Sequence, residues 1–182
     1  GYAGAAYVHV LLYEFSSFSP AVAEENLQTA LRLAEAALQL DPEFGPAWGE
    51  YAEVLSKLGR HGAALDAIDK AIERAPSDAL MRGYRARYLG YASRPEEGIE
   101  QVKVAMRMSP DSLPMLFVLG ANYRAAGMFD AATEALVEHR ARLGGKVLPG
   151  PTTQLIAAYV QAGHLESARE EAGRLMAVAP KL

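Results

Sequence analysis

The chain has 182 residues, 51% of them hydrophobic, with 22 acidic against 18 basic side chains and a formal net charge of -4. That balance gives no overall attraction to nucleic acid or to an anionic membrane, and the absence of cysteine removes disulfides, zinc-thiolate sites and thiol nucleophiles together. The longest apolar stretch, Ala5 to Leu12, is broken by His9 and is far shorter than a bilayer span, so no membrane insertion is expected.

The chain opens on Gly1 rather than Met, with no basic or small-residue leader pattern, and so reads as an excised fragment or processed product. A first helix is predicted from about Gly4 to Phe15. Tyr2, Tyr7, Val8, Val10, Leu11, Leu12, Tyr13 and Phe15 make this segment apolar on nearly every side, more than one neighbouring helix can cover. Tyr7, Leu11, Leu12 and Phe15 are therefore candidates for contact with an upstream domain or a second copy of the chain, a homodimer through the N-terminal helix. A second helix, Ala21 to Leu40, carries Leu27, Ala30, Leu31, Ala34 and Ala37 on one face and starts at a Ser19-Pro20 cap.

From Pro42 onward the chain repeats. Pro42, Pro76 and Pro110 are spaced by 34 residues, as are Ala37, Ala71 and Ala105; Gly59 recurs as Gly127 after two periods, and Ala30 and Ala64 are followed by Ala132. A fixed period of this length means stacked helical units rather than one central core. In residues 45–78, Trp48, Tyr51, Ala52 and Leu55 fall at i, i+3, i+4 and i+7, a buried stripe; Gly59 ends that helix, and Ala64, Ile68, Ala71 and Ile72 form the stripe of the next. Pro76 stops it, and Ser77 or Asp78 caps its successor.

This Trp, Tyr, Gly, Ala and Pro pattern resembles the tetratricopeptide repeat. The resemblance implies an all-α, right-handed superhelical solenoid of about five helix-turn-helix units: a divergent unit over 1–44, then 45–78, 79–112, 113–148 and 149–182, with ten helices and no strands. The unit 79–112 is the least regular, with Arg82 and Arg85 at apolar places, Ser93 for the turn glycine and Gly98 for alanine. In the third, Gly144 replaces the proline, and two extra residues in GGKVLPGP displace the last unit, whose places are Leu155, Tyr159, Gly163, Ala168, Ala172 and Pro180. The long second helix before LDPEFGPAW and the looser final repeats also resemble the tetratricopeptide segments attached to bacterial signalling proteins such as cyclases and winged-helix activators.

Catalytic groups do not converge. His9, His61, His139 and His164 form no ligand pair at metal spacing, and no GxxxxGK[ST], GxGxxG or GxSxG motif occurs. Glu24-Glu25, Glu96-Glu97 and Glu170-Glu171 are expected near helix starts or on exposed faces. The reading is a non-enzyme without cofactor or metal. Met81 to Tyr91 interleaves three arginines with three tyrosines, a combination that can grip single-stranded nucleic acid. Helical spacing nevertheless sends Arg82 and Arg85 away from the face shared by Tyr84, Arg87 and Tyr91, so nucleic-acid binding is not expected.

In the family, first helices of successive repeats line the concave side. Carried onto this chain, the groove positions are Gly49, Glu50, Glu53 and Lys57, then Gly83, Tyr84, Arg87 and Tyr91, then Phe117, Val118, Ala121 and Arg124, then Thr153, Gln154, Ala157 and Gln161. The clamp some members use for a chaperone's acidic tail needs lysine and asparagine where this chain has Gly49 and Glu53. The expected partner is instead a protein or peptide with an apolar or aromatic segment, received by Tyr84, Tyr91, Phe117 and Val118, with Arg87 and Arg124 flanking an acidic group. The rivals are self-association and an accessory region of a larger signalling protein or enzyme. A cysteine-free chain is compatible with reduced cytosol and oxidised periplasm alike, with a reducing cytosol mildly preferred.

Overall fold

A computed structural model describes residues 1–15 and 19–178, without the side chains of 14 and 15. Among the described residues there are ten α-helices and no strand: α1 (Tyr2–Phe15), α2 (Pro20–Leu40), α3 (Gly45–Lys57), α4 (His61–Arg74), α5 (Ala79–Tyr91), α6 (Pro95–Met108), α7 (Leu113–Ala125), α8 (Phe129–Arg142), α9 (Pro149–Gln161) and α10 (Leu165–Val178). The chain divides into two compact units, Gly1–Tyr88 and Leu89–Leu182, with the boundary inside α5. Pro180 lies outside the described residues.

In the first unit α1 packs on α2, α2 on α3 and α3 on α4, and α1 also touches α3. Val10, Leu27, Ala30 and Val54 form one buried cluster under Tyr13, Leu31 and Leu58. Ala52, Ala64 and Ala71 are fully buried, as close backbone approach between neighbouring helices requires. Trp48, assigned by period to the buried stripe, is only half-buried. Its indole Nε1–H donates to the Pro42 carbonyl at 2.8 Å, and Lys70 stands 4.2 Å over its ring. This bond explains an irregularity of the next repeat. Arg82 occupies the place of Trp48 one period on, and its guanidinium donates to the carbonyl of Pro76, the matching proline, at 3.1 Å. Arg85 is engaged as well, with Nε 2.6 Å from Asp69 Oδ1. Asp78 caps α5, accepting from the Leu80 and Met81 amides at 2.8 and 3.3 Å.

In the second unit α6 packs on α7, α7 on α8, α8 on α9 and α9 on α10. Ala132, Leu136, Leu155 and Ala158 form its buried cluster, with Phe117, Tyr123, Val137 and Tyr159 against it. The arginine-to-proline tie recurs at a spacing of two periods: Arg74 Nε donates to the Pro42 carbonyl at 3.0 Å and, within this unit, Arg142 Nη1 to Pro110 at 3.4 Å. Glu171, expected on an exposed face, is buried at 3% exposure and pairs with Arg140 and, at 2.8 Å, with Arg174. The correction has a physical cause: a carboxylate tolerates burial when basic groups from its own helix and the neighbouring repeat both reach it.

The turn inside each helix pair uses one device. Gly59, Gly127 and Gly163 have φ of +72°, +75° and +81°, and the next amide returns to a carbonyl five residues back: Arg60 to Leu55, Met128 to Tyr123, His164 to Tyr159, each at 2.9 Å. Ser93 fills the same place with φ +59°, closed by Arg94 to Leu89 at 2.9 Å. A side chain in this left-handed conformation costs roughly 1–2 kcal/mol, partly offset by the greater unfolded-state freedom of glycine. Ser93→Gly is therefore expected to stabilise the protein by about 0.5–1 kcal/mol in urea unfolding; an unchanged or lower midpoint would show that the turn carries no strain.

Candidate functional site

Three first helices of the first unit, α1, α3 and α5, converge on a cleft of about 180 Å³ lined by Tyr7, Val10, Leu11, Gly49, Glu50, Glu53, Met81, Tyr84 and Arg87. The local cause is Gly49. A Cβ there would lie 3.0 Å from Met81 Sδ, so the missing side chain lets Met81 reach across from α5 to α3. A larger cavity of about 510 Å³ lies between the start of α1, the end of α2 and the start of α3, with Tyr2, Tyr7, Leu40, Phe44, Pro46 and Glu50 among its walls. Tyr7 and Glu50 line both cavities.

One edge of the smaller cleft is a fixed polar network. Glu53 accepts from the Arg87 guanidinium and from the Tyr88 hydroxyl at 2.7 Å, and Lys57 Nζ lies 3.7 Å from its other oxygen. Arg87 also lies 4.9 Å above the Tyr84 ring, a cation-π contact that holds the ring against the cleft wall. Tyr88 is fully buried, and burial together with the Glu53 charge keeps its hydroxyl protonated far above the ordinary tyrosine range. Burial also raises Tyr84.

Glu50 differs from Glu53. Among the described residues it makes no hydrogen bond or ion pair, and its carboxyl is pushed up to about 7 by burial first and by the Glu53 charge second.

The sequence reading placed Tyr84 and Arg87 in a groove and Tyr7 and Leu11 in a separate contact surface; the structure brings all four to one cleft. Leu12 lies on α1 at 44% exposure, and the Phe15 side chain is outside the described residues. In the second unit Tyr91 is exposed and Ala121 half-buried, while Arg124 Nε donates to Gln154 at 3.0 Å, tying α7 to α9. Val118 is buried, and the half-buried Phe117 packs against the core cluster, its ring tilted on the buried His139 ring at 5.8 Å. Burial lowers the His139 pKa. Met81 was missed as a lining residue because its reach depends on an absent side chain on another helix. The glycine one residue after Trp48, on an otherwise well-formed stripe, was the available signal.

Among the described residues no group of histidine, aspartate and glutamate is placed to hold a metal ion, and no helix is long and apolar enough to cross a membrane.

The tetratricopeptide repeat family model matches residues 21–88. No curated protein matches the sequence. The chain is similar to a thermophilic tetratricopeptide repeat protein of Thermus thermophilus at 22% identity, with a TM-score of 0.81 over 100% of this chain and 93% of that one. MamA of Desulfovibrio magneticus is similar at 13% identity and TM-score 0.68, over 97% of this chain and 96% of that one. A tetratricopeptide repeat protein of Parabacteroides merdae aligns at 12% identity and TM-score 0.74, over 93% of this chain and 64% of its own. The turn device and these matches agree: residues 21–88 match the tetratricopeptide repeat family model, and the chain has the tetratricopeptide repeat fold, an all-α array of helical repeats.

Proposed function

We propose that this protein is a non-catalytic binding module that receives an apolar or aromatic segment of a partner protein in the first unit. The observation that carries this is the convergence of α1, α3 and α5 on one cleft with Leu11, Met81 and Tyr84 as apolar walls. Three helices from three successive pairs offer a concave surface that no single helix could provide, and it is partly set in advance by the Arg87-Glu53-Tyr88 network. Preorganised walls lower the ordering cost of association. Met81 adds an adaptable thioether, suited to apolar partners of varied shape.

The second reading, self-association, is favoured by one observation: Tyr2, Tyr7, Val8 and Leu12 on α1 are all between 44% and 51% exposed. Both readings place α1 at a contact, but they differ in what fills the cleft.

The test is a random dodecapeptide library selected against the whole chain, followed by anisotropy titration of the selected peptides. Met81→Ala with Tyr84→Ala is expected to weaken them at least tenfold, as for central interface anchors, with helix content and mass unchanged. Undiminished affinity in a folded double variant would place the binding surface elsewhere.

A further inference from the structure

We propose that Glu50 is the receptor for a single basic side chain, lysine or arginine, carried by the otherwise apolar partner segment that fills this cleft; this rests on the cleft reading above and names the partner's chemistry.

Two carboxylates stand one helical turn apart on α3, and the Arg87 and Lys57 side chains both reach Glu53. Glu53 has Arg87, Lys57 and the Tyr88 hydroxyl. Glu50 has no such partner among the described residues, although it lines both cavities. Its surroundings are apolar on either side: Leu40 and Phe44 in the larger cavity, Leu11 and Tyr84 in the smaller. A half-buried carboxylate between apolar walls, facing a second carboxylate, is unfavourable when ionised. Burial first, and the Glu53 charge second, raise the Glu50 pKa accordingly.

The occupant follows from charge complementarity. An acidic side chain would meet Glu50 and Glu53 together, with Arg87 already committed to Glu53, so the expected acidic flank beside Arg87 does not fit this geometry. A wholly apolar segment would cover Glu50 and force it to stay protonated. An ammonium or guanidinium supplies the missing countercharge while its aliphatic stem lies along the apolar walls. The titratable and charged groups that line the two cavities with Glu50 are the Gly1 amino group, Tyr2 and Tyr7 from the start of the chain, Glu53 from α3, and Tyr84 and Arg87 from α5; Tyr84 is raised above its ordinary range and Arg87 stays charged, so neither changes charge between pH 6 and 8.

The experiment uses the whole chain and four pools of fluorescent nonapeptides, each with a central Lys, Arg, Gln or Glu and mixtures of Leu, Ile, Val, Phe and Tyr at the flanking positions. Anisotropy at pH 8 should favour the Lys and Arg pools over the Gln pool by about tenfold and over the Glu pool by more. Between pH 6 and pH 8 the Lys pool should gain about tenfold, because only ionised Glu50 attracts the cation and its carboxyl titrates at about 7, whereas the Gln pool should not gain. Glu50→Gln should erase the Lys preference while keeping the Gln pool bound, and Glu50→Lys should invert it toward the Glu pool. Equal binding of the Lys and Gln pools to the wild type, or a Lys preference that survives Glu50→Gln, overturns the proposal and leaves the cleft reading standing. No binding of any pool overturns both. A dimer in light scattering whose dissociation is needed before any pool binds also overturns it, assigning the cleft to a second copy of this chain.

Discussion

Gly120→Val is expected to destabilise the second unit by about 2–3 kcal/mol, the cost of overpacking a crossing that has no slack. Gly120 is buried on α7, and a Cβ at that position would sit 2.6 Å from Leu136 Cγ and 2.9 Å from its Cδ2. Leu136 has no room to give way, being 2% exposed and enclosed by Ala132, Leu155 and Ala158. Relief would require α8 to shift, and α8 is packed on both α7 and α9. Alanine at 120 gains roughly 1 kcal/mol of helix propensity, which offsets part of the same clash. The open position Gly62, with nothing within 4 Å, gains that propensity without the clash, so Gly62→Ala is the control that should be neutral or stabilising. Urea unfolding followed by circular dichroism reads the difference. A Gly120→Val midpoint equal to wild type would mean that the α7–α8 crossing is looser than these distances state.

Glu53→Ala is expected to cost about 3 kcal/mol in the first unit. The substitution removes the acceptor of a charged hydrogen bond from Arg87 and of a bond from Tyr88, each worth on the order of 1–3 kcal/mol when its loss leaves a buried partner unsatisfied. Tyr88 is fully buried and cannot turn to water, whereas Arg87 is partly exposed and recovers some hydration. Glu53→Gln keeps an acceptor for the tyrosine and should lose about half as much. Adding Tyr88→Phe to Glu53→Ala removes the stranded hydroxyl too, so the double change should cost less than the sum of the two single ones. Trp48 lies on the same helix as Glu53 and is the chain's one tryptophan, so its fluorescence in urea reports on this unit. A Glu53→Ala protein within 0.5 kcal/mol of wild type would show that the network orders the cleft without stabilising the fold.

The fold was legible because the repeat writes its own geometry into the sequence. The left-handed turn demands glycine or tolerates a strained substitute, so Gly59, Ser93, Gly127 and Gly163 mark helix ends whatever surrounds them. The tie to the proline carbonyl was only half legible. Trp48 and Arg82 share a repeat position but no apolar character, so Arg82 looked like a departure, although both donate an N–H to the same backbone acceptor one period apart.

The site was less legible, for a different reason. Helical period assigns a residue to a face but not to a neighbour across several elements. Tyr7 and Leu11 join Tyr84 and Arg87 only because α1 also touches α3. Phe117 and Val118 share the first-helix face by spacing, yet α7 is apolar enough all round that Phe117 is drawn against His139 and the core cluster while Val118 is buried. The distinction between Glu50 and Glu53 was invisible for the same reason, since both belong to one stripe and only the reach of Arg87 and Lys57 separates them.

Methionine-methyl NMR gives the most direct test of the cleft as the binding surface. The chain has six methionines, of which Met81 lines the cleft while Met106, Met108, Met115, Met128 and Met176 belong to the second unit. Titrating the whole chain with a peptide selected for binding should shift the Met81 methyl resonance saturably and leave those of Met128 and Met176 in place. A Met81 signal that stays still at saturation, while Met128 or Met176 moves, would contradict the assignment of binding to the cleft of α1, α3 and α5.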